Sequence, residues 1–78
     1  MHKMSFEKLL KYLGRHRNND DLYSALCYFE SGDIAFICSR YDGSLQVIYR
    51  TREYEVDCST VKEVLDLFRE DKLINYEI

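Results

Sequence analysis

The 78-residue chain has no proline and no tryptophan, and only three glycines. Collagen-like, proline-rich and low-complexity classes are excluded at once. The three cysteines are odd in number and show no CxxC spacing, so neither a disulfide framework nor a zinc site is encoded. The longest apolar run is only a few residues, too short to span a bilayer. Met1 to Ser5 lack the apolar core of a secretory signal. The expected compartment is therefore the cytoplasm, that of the host if the chain is viral. A positive excess is also missing. The net charge is −3, which argues against direct nucleic-acid binding.

What is present is a folded composition, 46% hydrophobic and 32% charged, of a size for one domain, residues 1–78. The charge is bipolar. Residues 1–17 carry five Lys/Arg against one Glu, whereas residues 53–78 carry eight Asp/Glu against three Lys/Arg.

Two helices are expected. Ser5 is a good N-cap for a stripe of Phe6, Leu9, Leu10 and Leu13, at i, i+3, i+4, i+7, and Gly14 offers a left-handed stop. Thr60 with Glu63 forms a capping box before Val61, Val64, Leu65 and Phe68 at the same spacing. Between them, from Leu22 to Cys58, the period is two, with Ser31-Gly32 and Asp42-Gly43 read as two-residue hairpin turns and a third turn near Thr51-Arg52. That reading pairs Cys27 with Phe36, Cys38 with Val47, and Val47 with Val56. It gathers Ala25, Cys27, Phe29, Ile34, Phe36, Cys38, Leu45, Val47, Tyr49, Tyr54, Val56 and Cys58 on one core face. The expected fold is α+β, a four-stranded antiparallel meander with N- and C-terminal helices packed on one face (α-β-β-β-β-α). The tail, Leu73 to Ile78, alternates and fits either a short edge strand or a coil across the sheet.

Catalytic, cofactor and metal residues are all expected to be absent. The cysteines read as small core hydrophobes. His2 sits at the terminus and His16 in a basic loop, neither with partner ligands at suitable spacing. The other sheet face is the informative feature. In this register it carries Leu22, Leu26, Tyr28, Ile37, Tyr41 and Ile48 within a rim of Ser24, Ser39, Gln46, Arg50, Glu53 and Glu55. A solvated sheet face should be polar, and an apolar centre with a polar rim is the make-up of an interface. Glu53, Glu55, Glu63 and Asp66 extend it as an acidic surface able to imitate spaced phosphates.

The functional expectation is a non-enzymatic protein-binding module, whose partner is another protein or its own copy. In size, acidity and lack of catalytic motifs the chain looks like the compact inhibitors and accessory factors that phages and mobile elements turn on host nucleic-acid machinery, anti-CRISPR-like proteins among them. Two alternatives are a homo-oligomer pairing through its sheet face and a small cysteine-dependent redox protein or enzyme.

Overall fold

The computed structural model describes residues 4–14, 23–40 and 42–78. The elements run α1 (Phe6–Gly14), β1 (Ser24–Phe29), β2 (Ile34–Ser39), β3 (Leu45–Tyr49), β4 (Tyr54–Cys58), α2 (Val61–Leu67) and β5 (Leu73–Glu77). The architecture is α+β with a five-stranded antiparallel sheet, in the order β4-β3-β2-β1-β5. The expected four strands become five because the tail pairs along β1, with Leu26 opposite Glu77 and Tyr28 opposite Asn75. It therefore extends the sheet and does not lie across it. β4 and β5 point the same way at opposite edges, so the segment holding α2 crosses the sheet between them.

Both helices form as their caps and stripes dictate. Ser5 Oγ accepts from the Lys8 N–H at 3.3 Å, and Leu9, Leu10 and Leu13 are buried. Gly14 closes α1 without adopting a positive φ; only Gly32 (96°) and Gly43 (89°) do so among the described glycines. At α2, Thr60 Oγ1 accepts from the Glu63 N–H at 3.2 Å, while the Glu63 carboxylate accepts from the Ser59 N–H at 2.9 Å. The reciprocal bond thus reaches one residue further back than in the usual capping box.

The helices share one core with the odd-numbered face of β1 to β3. Leu9, Leu10 and Leu13 of α1 and Val64 of α2, with Phe68 just past its end, meet Ala25, Cys27, Phe29, Ala35, Ile37, Leu45, Val47 and Tyr49. Aromatic rings join the layers. Phe29 and Phe68 stack at 4.2 Å between centroids, and Phe6 meets Phe29 edge-on at 5.4 Å. Such pairs add to the area they bury.

One strand is turned over relative to expectation. Cys27 lies opposite Ala35 and Val47 opposite Ile37, so Ala35, Ile37 and Ser39 point into the core. Ile34, Phe36 and Cys38, expected there, point away. The cause is the loops. Phe29 N–H donates to the Asp33 carbonyl and Gly32 N–H to the Phe29 carbonyl, which makes a three-residue loop with left-handed Gly32 at its end. The loop ending at Gly43 repeats the pattern, with Arg40 N–H on the Ser44 carbonyl and Gly43 N–H on that of Arg40. A glycine closing a three-residue loop shifts the pairing by one residue relative to a two-residue turn. Two such shifts, one at each end of β2, invert that strand and cancel by β3. The β3–β4 pairing, Tyr49 with Tyr54, Val47 with Val56 and Leu45 with Cys58, is the expected one.

Ser39 in the core is satisfied, since its Oγ accepts from the Tyr23 N–H at 2.9 Å. No helix among the described residues is long and apolar enough to cross a membrane.

Candidate functional site

The face of the sheet turned away from the helices is built from cross-strand rows. In the first, Glu55 lies opposite Ile48, Ile48 opposite Phe36, Phe36 opposite Leu26 and Leu26 opposite Glu77. One residue from each of the five strands thus forms a line of three apolar side chains with a carboxylate at either end. The next row holds Arg50, Ile34, Tyr28 and Asn75: Arg50 N–H donates to the Ile34 carbonyl at 2.8 Å, Ile34 is opposite Tyr28, and Tyr28 opposite Asn75. The row on the other side, Asp57, Gln46, Cys38 and Ser24, is polar apart from the thiol. The apolar field is therefore off-centre, over the half of the sheet that ends at Arg50.

Leu26, Tyr28, Ile34 and Phe36 line a shallow depression of about 510 Å³ with Arg50 and Thr51 at its rim. These four side chains are half-buried by their neighbours in the sheet, and neither helix nor β5 covers them. An uncovered apolar patch of this kind marks a contact surface more often than a solvated one.

The polar rim is partly tied down. Arg40 pairs with Asp57 at 2.7 Å and Arg52 with Asp33 at 2.6 Å. Gln46 Nε2 donates to the Glu55 carboxylate at 2.9 Å, and Tyr28 Oη to that of Glu77 at 3.5 Å. Arg50 makes no ion pair among the described residues, though it shares a depression with Glu53 and Glu55.

The sheet edges are guarded differently from the face. Glu55 and Asp57 on β4 place charge along one edge, a common defence against strand addition. On β5 the backbone N–H of Tyr76 is taken by its neighbour's Asn75 Oδ1 at 3.0 Å.

Of the residues singled out from the sequence, Leu26, Tyr28, Ile48 and Glu55 stand together on this face. Glu53 lies exposed in the β3–β4 turn at a left-handed φ of 54°, beside them. Ile37 does not belong. It is fully buried in the core, because β2 is turned over by its flanking loops. Ser39 leaves the rim for the same reason. Leu22 and Tyr41 fall outside the described residues, as do His2, His16 and the basic loop. Glu63 and Asp66 are on α2, in the layer beyond the core. Glu63 is spent on the Ser59 N–H, and Asp66 is paired with Lys62 at 2.9 Å. The acidic surface is thereby split in two, and only its β4 half adjoins the apolar face. Phe36, Ile34 and Arg50 are the residues that complete the face. The signal for the first two was the glycine at the third position of each loop.

The thiols divide in the same way. Cys27 and Cys58 are buried, whereas Cys38 is half-buried on the open face. Burial pushes the Cys27 thiol up to about 12. It raises Cys38 too, with Arg40 pulling the other way. At Cys58, burial and then the carboxylates of Glu63 and Asp57 act together upward. None is held as a thiolate, the form that nucleophilic chemistry needs. Among the described residues no three His, Cys, Asp or Glu side chains stand close enough to hold a metal ion.

Compared with protein-family models, curated proteins and solved structures, the chain matches none.

Proposed function

We propose that this chain acts by contact and not by catalysis, as a small protein-binding module whose uncovered sheet face is the contact surface. The observation that carries the reading is the row Ile48–Phe36–Leu26, three apolar side chains in the middle of a sheet face that nothing in the described chain covers. A solvated antiparallel face has no reason to concentrate apolar residues at its centre. An inhibitor or accessory factor of a larger nucleic-acid-handling protein works by such coverage. For that class of partner the acidic outer edge, with Glu55 and Asp57 on β4 and Glu53 in the turn before it, supplies charge opposite to the basic surfaces such proteins present.

The test is a comparison of folded variants. Phe36→Glu places a charge in the middle of the face, and Asp66→Lys places one on the helix side as a control. Each is immobilised beside the wild type and exposed to native lysate. Loss of a captured protein with Phe36→Glu, and its retention with Asp66→Lys, supports the reading. Equal capture by all three, or none above bare matrix, would overturn it.

A further inference from the structure

We propose that the open face is covered by an amphipathic helix of another protein, apolar along one stripe and carrying Lys or Arg on both flanks. The inference rests on the contact-surface reading above and names its partner by chemistry. Charge complementarity carries it. The apolar row Ile48–Phe36–Leu26 ends in a carboxylate on each side, Glu55 and Glu77. Both accept from neutral donors, Gln46 Nε2 at 2.9 Å and Tyr28 Oη at 3.5 Å, and neither forms an ion pair among the described residues. Glu53, in the turn beside Glu55, forms none there either. Against these three acids the rows hold one unpaired cation, Arg50, since Arg40 is spent on Asp57. Covering the apolar centre strips water from its rim, so the rim acids need cations that the occupant brings. A second copy fails that requirement. Docked sheet to sheet it brings the same excess of acid, and its own helices spend their apolar stripes on its own core.

Dimensions select a helix. Glu55 and Glu77 stand four strand spacings apart, about 19 Å. A helix laid along the strands is about 10–12 Å across with its side chains. Lys or Arg on its two flanks reach further while their stems lie over the apolar field. The cations thus arrive at the two carboxylates, and the stripe between them lies over Leu26, Phe36 and Ile48. The strands run about 16–20 Å, the length of about three to four helical turns. Arg50 sets the direction. It stands just past β3, in the row it shares with Ile34 and Tyr28. A helix C-terminus there presents its free carbonyls and the negative end of its dipole to the guanidinium. The occupant therefore runs in the direction of β3, with its C-terminus over Arg50.

The probe is a synthetic helical peptide of about fourteen residues, just under four turns, with a leucine stripe and lysine on both flanks. A second peptide has glutamate in place of every lysine. Each is titrated to about 1 mM into the isotope-labelled whole chain and followed by NMR. The lysine peptide should shift the amides of Leu26, Phe36 and Ile48, and the glutamate peptide should not. The double variant Glu55→Lys with Glu77→Lys, its fold checked by melting, should bind the lysine peptide at least about tenfold more weakly and gain the glutamate peptide. A nitroxide at the C-terminus of the lysine peptide should broaden Ile34 and Tyr28 before Ser24 and Gln46. Equal binding of both peptides to the wild type, or affinity indifferent to the double reversal, overturns the charge assignment. Broadening of Ser24 and Gln46 first overturns the direction. A lysine peptide that shifts α2 alone, or nothing, overturns the helical occupant. The contact-surface reading then stands if Phe36→Glu still abolishes capture of another protein, and falls as well if that capture is untouched.

Discussion

Phe36 and Ile37 are neighbours in the middle of β2, and a glutamate at each should have opposite consequences. Ile37 is fully buried between the sheet and the helices. Removing its side chain costs about 2–5 kcal/mol, and an unpaired carboxylate in its place adds several more. A domain of this length has a total margin of roughly 4–12 kcal/mol. Ile37→Glu should therefore be unfolded or aggregated at 25 °C. Phe36 sits on the open face between Ile48 and Leu26. Phe36→Glu loses two cross-strand pairs, each worth about 0.2–1 kcal/mol, together with part of the burial of one ring. A loss of about 1–2 kcal/mol lowers Tm by roughly 5–15 °C in a domain this small. Circular dichroism melts measure both. A folded Ile37→Glu beside an unfolded Phe36→Glu would show that β2 faces the other way. That result would refute the loop argument and the interaction face with it.

Three further outcomes are expected. Native thiol labelling should modify Cys38 well before Cys27 and Cys58, which are buried; labelling of Cys27 first would contradict its place in the core. Stability should fall in alkali, because the folded chain keeps the Cys27 proton up to about 12 while the unfolded thiol releases it near its ordinary pKa. The contribution is intact below about pH 8.5 and declines by up to about 1.4 kcal/mol per pH unit above it. Between pH 8 and pH 10 the wild type should therefore lose about 1–2 kcal/mol more than Cys27→Ala in urea titrations, and parallel curves would refute the assignment. At the loops, Gly32→Ala should cost about 1–2 kcal/mol from its left-handed φ alone, since a Cβ there would touch nothing. Gly14→Ala, at an ordinary φ and with equal room, should be neutral or stabilising in the same melts.

The residue pattern alone specified the parts that depend on local chemistry. Ser5 and Thr60 with Glu63 marked the helix starts, and the apolar stripes marked the faces those helices bury. Alternation in β1, β3 and β4 placed Cys27, Val47 and Cys58 on the core side, because each of those strands has one clearly more apolar face. β2 was not legible in this way. Its two faces, Ile34-Phe36-Cys38 and Ala35-Ile37-Ser39, are both apolar, and by hydrophobicity the first is the better core. Tertiary structure chose the second. The 30–32 loop is held from outside, by Ser31 N–H donating to Asp71 Oδ1 at 3.0 Å from the segment before β5. The bulky members of β2 were thereby turned to the open side. Small Ala35 and a hydroxyl satisfied by the Tyr23 backbone then occupy the space beneath the helices. The fifth strand was decided the same way. A tail that alternates fits several surfaces, and of the two free edges of the meander, β1 and β4, Leu73 to Glu77 pair with the unpaired backbone groups of β1, on the far side of the sheet from β4. Periodicity within a strand is local and readable. Which face of β2 turns inward depends on one residue more or less in a loop, and on the distant groups that hold that loop.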